Sequence, residues 1–191
     1  MCDISEFALH SLCKEGNLST MKFMYPFVDD VNKQDENGDT PIGLAAEYGH
    51  LECLEFMASH GGDMKVGNDI VKKGIHSDNT DVIDFLVKNK IEITRSHVHY
   101  CAEVDKVQCL KHFCKKRCYL DLIHTACTHG SQKSIEYLLS RDDIDVNTIG
   151  PSGDTAVTIL CEKDDCHTLR LIVKSKNVKF DLKNAYGQTP T

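Results

Sequence analysis

Asn37-Gly38-Asp39-Thr40-Pro41-Ile42-Gly43-Leu44-Ala45-Ala46-Glu47-Tyr48-Gly49-His50-Leu51-Glu52-Cys53-Leu54-Glu55-Phe56-Met57 is the stretch from which the rest of the chain is read. Thr40 offers a side-chain oxygen to the free N–H groups of a helix start. Pro41 follows at the first helical position, where a missing N–H costs nothing. Leu44, Ala45 and Ala46 form a narrow apolar face whose small members let a neighbour approach closely. Gly49 permits a reversal, after which Leu54, Phe56 and Met57 mark a second apolar helix. The segment reads as a helix–turn–helix that cannot bury both faces alone, so it needs stacked neighbours.

The frame recurs along the 191 residues. Phe7 to Leu18 repeats it, with Gly16 in the place of Gly49, and the position of Thr40 returns at Asp69, Ser96, Asp121, Thr155 and Thr189. From Phe7 the spacings are 33, 29, 27, 25, 34 and 34 residues, a range that marks stacked repeats. The triplet Leu54/Phe56/Met57 is echoed by Met21/Phe23/Met24, Ile83/Phe85/Leu86, Leu110/His112/Phe113, Ile135/Tyr137/Leu138 and Leu169/Leu171/Ile172. The run Gly-x-Thr-Pro-x-x-Leu-Ala-Ala-x-x-Gly-His over 38–50 resembles the ankyrin-repeat family. That resemblance implies an all-α, ankyrin-like solenoid of stacked helix–turn–helix repeats joined by β-hairpin fingers. A single domain over 1–191 is expected, with repeats at about 3–32, 36–65, 66–93, 94–118, 119–147 and 151–182 and a partial seventh motif at 184–191. Asp30-Val31-Asn32 and Asp145-Val146-Asn147 keep the approach to a finger, while the short central spacings predict fingers shortened in the middle repeats.

Composition narrows the function. Lys+Arg 22 against Asp+Glu 29 leaves a formal charge of −7, so no general basic field exists to grip a phosphate backbone, and nucleic acid is not an expected partner. No apolar run reaches the roughly 18 residues of a spanning helix, and the opening Met1 to Glu6 is acidic where a secretory signal would be basic. An intracellular, cytoplasmic protein without membrane insertion is expected. Lys115-Lys116-Arg117 is a short basic run of the kind nuclear import uses.

Without an export signal the 10 cysteines read as thiols. Cys13, Cys127 and Cys161 align with Ala46, Cys101 with Ala45, and Cys109 with Cys53, slots where a small buried side chain is wanted. Cys109, His112, Cys114 and Cys118 form the one cluster with tetrahedral-zinc chemistry, although paired C-x₂-C knuckles are absent and two of the four occupy core positions. The cations between Cys114 and Cys118 would favour a thiolate there. The expectation is no metal and no cofactor, with a zinc or redox-sensing module as an alternative. Of the 10 histidines, His10, His99 and His124 share the position of Gly43. The family resemblance assigns a structural hydrogen-bonding residue to that position and to His50. His60, His76, His97, His112, His129 and His167 have no family role, and no enzyme signature appears.

Recognition of another protein is therefore the expected function. The two residues before each turn face outward in the pattern: Lys14/Glu15, Glu47/Tyr48, His76/Ser77, Glu103/Val104, Thr128/His129 and Glu162/Lys163. The resemblance makes them a candidate concave binding face, with Tyr48 its best anchor. Finger tips would add Asp35, Glu36 and Asn37, and Ile149, Pro151 and Ser152. Acidic residues on this face favour a partner with a basic segment. The alternative is the regulatory or targeting region of a larger enzyme or channel.

Overall fold

The first helix of a pair begins where a short polar side chain satisfies its free N–H groups. In the computed structural model, which describes residues 4–115, 119–174 and 178–189, Thr40 accepts from the Gly43 amide at 3.2 Å and Thr155 from the Thr158 amide at 3.2 Å. Asp69 accepts from Val71 and Lys72 at 3.0 and 3.3 Å. Twelve α-helices form among the described residues, in antiparallel pairs: α1 (Ile4–Glu15) with α2 (Leu18–Met24), α3 (Pro41–Glu47) with α4 (Leu51–Ser59), and α5 (Ile70–Ser77) with α6 (Thr80–Lys88). The remaining pairs are α7 (Arg95–Glu103) with α8 (Val107–Cys114), α9 (Leu122–His129) with α10 (Gln132–Leu139), and α11 (Ala156–Glu162) with α12 (Cys166–Lys174). None is long and apolar enough to cross a membrane. The spacing puts Ser96 in the place of Thr40, the cap before a helix, but α7 begins at Arg95, so Thr94 holds that place two residues earlier.

The chain divides into two compact units, residues 1–97 and 98–191. In the first, α3 packs between α1 and α5 while α4 packs between α2 and α6, giving one row of first helices and one of second helices. In the second, α9 packs on α11, and α10 packs between α8 and α12. The core of the first unit is Leu9, Cys13, Met21, Ile42, Ala45, Leu54, Met57, Ile75, Ile83 and Leu86; that of the second is Cys101, Leu110, Leu122, Ile123, Ile135, Leu138, Leu160 and Ile172. In the recurring triplets the middle residue looks outward: Phe23 is exposed and Phe56 half-buried, whereas Met21, Leu54 and Met57 are fully buried.

Each pair reverses through one residue with positive φ. Glycine supplies it at Gly16, Gly49 and Gly130, and aspartate at Asp78 (φ 53), Asp105 (φ 58) and Asp164 (φ 55). Aspartate is among the few non-glycine residues that enter this region at modest cost. Gly16 is required twice over, because a Cβ there would sit 2.5 Å from the His50 ring. That ring reaches back to the Lys14 carbonyl at 3.1 Å. Asn79 does the same to the Gly49 carbonyl at 3.2 Å, and Ser131 to the Glu103 carbonyl at 2.9 Å. The residue opening a second helix thus ties down the turn of the preceding pair.

A closed turn recurs at Asp35–Asp39, Gly150–Asp154 and Asn184–Gln188. In each, the first residue's amide meets the last residue's carbonyl, at 2.9, 2.8 and 2.8 Å. Only the turn at 150–154 is joined by an isolated bridge, Ile149 to Thr155, and no longer strand ladder forms among the described residues. Among the described residues no such closed turn forms in the connector 89–94 between α6 and α7.

Candidate protein-binding face

All twelve helix-end candidates flank the reversing residues, so the backbone places them at the same structural position in every pair. Lys14 and Glu15, Thr128 and His129, and Glu162 and Lys163 are exposed. Tyr48, His76 and Glu103 are exposed too, while Glu47, Ser77 and Val104 are half-buried. Tyr48 closes α3 with 45% of its surface accessible, and the Lys14 ammonium lies 5.4 Å from its ring centroid. The ring is therefore presented from a fixed helix end beside a cation. His129 in the second unit lies 3.8 Å from Glu103, and its Nδ1 meets the Thr125 carbonyl at 2.9 Å.

Several candidates also make contacts within the scaffold. Glu47 accepts from Lys73 at 2.6 Å, and Lys73 also pairs with Asp39 at 2.8 Å. Burial pulls the Lys73 ammonium down, but its hydrogen bonds to Asp39 and Glu47 outweigh this and hold it above the ordinary lysine value. Asp35 is half-buried, and its carboxylate accepts from the Asn37 and Asp39 amides at 2.8 and 2.9 Å. Burial pushes its carboxyl up, yet these backbone bonds hold it below the usual carboxylate range. Glu36 and Asn37, and Ile149, Pro151 and Ser152, remain exposed at their turns. Ser77 donates to the Gly74 carbonyl at 2.7 Å, and Thr128 to the His124 carbonyl at 2.8 Å.

The histidines at the Gly43 position are structural. His10 reaches the Lys33 and Asp39 carbonyls at 3.0 and 3.1 Å, His124 the Thr148 carbonyl at 2.8 Å, and His99 the Thr125 hydroxyl at 2.9 Å. His97 is a further structural histidine that the spacing missed. It is buried, meets the Thr94 amide at 3.0 Å through Nδ1 and lies 3.0 Å from Asp69 through Nε2. The Thr94-x-x-His97 spacing, set against the helix start at Arg95, is the signal that would have found it. Burial raises the Asp69 carboxyl, but the bonds from His97 and from the Lys72 and Val71 amides outweigh it and hold it low.

Cys13, Cys53, Cys101, Cys109, Cys114 and Cys127 are buried thiols, and burial pushes Cys13 and Cys127 up to about 12. Cys161 departs from its alignment with Ala46 and is exposed, because among the described residues no helix follows α12 to cover that side of α11. Of the zinc or redox candidates, Cys109, His112 and Cys114 are among the described residues and form no metal-holding group there. Cys109 and Cys114 face the core, and His112 lies edge-on to Phe113 with centroids 6.0 Å apart. Cys118 lies outside the described residues. No group of three His, Cys, Asp or Glu among the described residues could hold a metal ion, and burial of Cys114 removes the access a reactive thiolate needs.

Stacked helix pairs, a capped Thr-Pro start and a left-handed turn in every pair are now combined with one further observation: residues 9–97 match the family profile described as ankyrin repeats, in 3 copies. Residues 9–97 of the protein are ankyrin repeats. Synphilin-1 of Mus musculus is 23% identical over 186 residues, covering 95% of this chain and 18% of its own length. Protein phosphatase 1 regulatory subunit 27 of Mus musculus is 32% identical over 62 residues, covering 32% of this chain and 40% of its own. The chain therefore spans well under two thirds of the length of those relatives. The ankyrin repeat domain of human ASB11 superimposes with a TM-score of 0.75 at 16% identity, covering 95% of this chain and 89% of that one. The ankyrin repeat domain of Bcl-3 gives 0.65 at 15% identity, covering 95% and 91%. Both likenesses concern the fold.

Proposed function

We propose that this ankyrin-repeat chain is a recognition module that binds another protein through the helix-end residues beside the left-handed turns. The observation that supports this best is Tyr48, an exposed ring fixed at the end of α3 with Lys14 over it at 5.4 Å. Large rings held rigid beside polar groups concentrate binding energy. Glu103 and Glu162 repeat an exposed carboxylate two residues before the turn, and Glu15 adds one immediately before its own, which favours a partner with a basic segment. The partner is intracellular in this reading. Affinity capture from the source cell, read by mass spectrometry, tests it with Tyr48→Ala and Glu103→Lys as separate variants. Proteins retained by wild type and lost with the variants, both still helical by circular dichroism, are the expected result. Retention by both variants overturns the face.

A second reading, in which these repeats form the regulatory or targeting part of a larger enzyme or channel, draws support from one alignment. Transient receptor potential cation channel subfamily A member 1 of Homo sapiens aligns with 98% of this chain over 13% of its own length. An immunoblot of the native protein tests it: a band far above 21.4 kDa supports it, and a band at that mass removes it.

A further inference from the structure

The second-helix side of the first unit carries an aromatic strip that the helix-end face does not use. Phe23 in α2 is 70% exposed, and Phe27, in the 3-10 turn Tyr25–Phe27 that continues α2, is 64% exposed. Their ring centroids lie 6.0 Å apart at 53°. Beside them a second cluster is locked in place. Tyr25 donates to the His60 carbonyl at 2.9 Å, and its ring meets Phe56 edge-on at 5.7 Å. Phe56 stacks on His60 at 4.0 Å. Lys22 sits with its ammonium 5.9 Å from the Phe56 centroid, so the strip already receives one cation over a ring face.

Packing within the unit does not account for Phe23 and Phe27. The buried residues Met21, Leu54 and Met57 already fill the interior on this side, and two phenylalanines left in water forgo most of the benefit of burying an aromatic ring. The surroundings define what would cover them. Asp29 and Asp30 follow Phe27 after Val28, and Glu52 and Glu55 lie on α4 one turn and one residue before Phe56; all four are exposed. Four exposed carboxylates against Lys22 leave the two segments that carry the rings, 22–30 and 51–60, net acidic. A second copy of this chain would bring the same acidic segments against themselves, and like charges oppose that contact.

We propose that this strip is a second docking surface, which takes a short arginine-containing segment of a partner protein. Guanidinium planes would lie on the Phe23 and Phe27 faces and pair with the flanking carboxylates. Arginine suits both contacts, since it stacks on aromatic faces and bonds carboxylates through a planar fork.

The test titrates the full chain with a short fluorescein-labelled peptide alternating arginine with leucine, read by anisotropy. Binding that weakens by about tenfold or more in the Phe23→Ser, Phe27→Ser double variant, and with added salt, is the expected result. The same binding should persist in Tyr48→Ala and be absent for a peptide with glutamate in place of arginine. Amide shifts in the wild-type chain keep the test independent of how the double variant folds: peptide-induced shifts belong at residues 22–27 and 55–60. Shifts centred on Glu47 and Tyr48, affinity unchanged in the double variant, or equal binding of the glutamate peptide each overturn the proposal. So does a concentration-dependent dimer, seen by sedimentation, that the double variant abolishes; that result assigns the strip to a second copy.

Discussion

In residues 1–97 the closed turn at Asp35–Asp39 is held by an ion pair, Lys73 of α5 at 2.8 Å from Asp39, whereas in residues 98–191 the turn at Gly150–Asp154 is held by an amide, Asn184 donating to Asp154 at 2.9 Å. Beneath this difference the two units share a skeleton. Asn68 donates to Asp39 as Asn184 does to Asp154, and His10 and His124 each reach carbonyls of the connector ahead. Gly150 lies so close to the His124 ring that a Cβ would come within 2.6 Å of it. The comparison teaches that short neutral links shape the repeat in both units, while charge is an addition of the first. The family profile reaches only residues 9–97, yet the same turn and histidine devices continue beyond it.

The contrast breaks if the two ties prove equal. Lys73→Met leaves two partly buried carboxylates without their cation and is expected to cost about 3 kcal/mol in urea unfolding, against about 1 kcal/mol for Asn184→Ala, which removes neutral hydrogen bonds. Equal losses would remove the distinction. The pH dependence sharpens it. A lysine held above its unfolded value contributes fully below that value, and the contribution fades as pH rises through the folded one. The gap between wild type and Lys73→Met should stay constant from neutral pH and narrow above the ordinary lysine value of 10.5.

Turn glycines give the next largest effect. Gly16→Ala meets both a positive φ and the His50 ring, and should cost about 2 kcal/mol; Gly130→Ala, with nothing within 4 Å of the new Cβ, should cost about 1 kcal/mol. Similar midpoints for the two would show that the His50 ring yields freely.

Asp69 supplies an acid counterpart to Lys73. Its carboxyl is held below the ordinary 3.8 in the folded chain, so its contribution is present above that value and lost as pH falls through the folded one. Stability of wild type relative to Asp69→Asn should shrink below about pH 4, and a gap independent of pH would contradict the His97 contact.

The smallest effect separates two aspartate turns in the second unit. Asp164→Gly relieves a positive φ and should be neutral or stabilising by up to about 1 kcal/mol. Asp105→Gly relieves the same strain but removes the caps on the Ser134 and Lys133 amides at 2.8 and 3.3 Å, so it should destabilise.

Much of the fold was legible because its signals are local. Thr40-Pro41 announces a helix start, Ala45 and Ala46 a close approach, Gly49 a reversal, and each acts within a few residues. Aspartate in place of glycine at Asp78, Asp105 and Asp164 left only the phase of the repeat to mark those turns. Ser96 stands two residues past the cap position, which Thr94 holds before Arg95. The site was less legible because exposure depends on partners distant in sequence. Glu47 looks outward in the pattern but is drawn to Lys73, 26 residues away. Asp35 looks like a finger tip but closes its own turn. Cys161 sits in a packing slot that no following helix covers among the described residues, and Phe23 fits an apolar triplet while facing water. None of these follows from the period alone.

The most direct test of the recognition reading is amide hydrogen exchange of this chain with and without a partner recovered by the affinity capture. The account predicts slowed exchange at the helix ends beside the turns, at 14–15, 47–48, 76–77 and 103–104, with Tyr48 at the centre. Protection confined to the second helices α4, α6 and α10, with these ends unchanged, would contradict it.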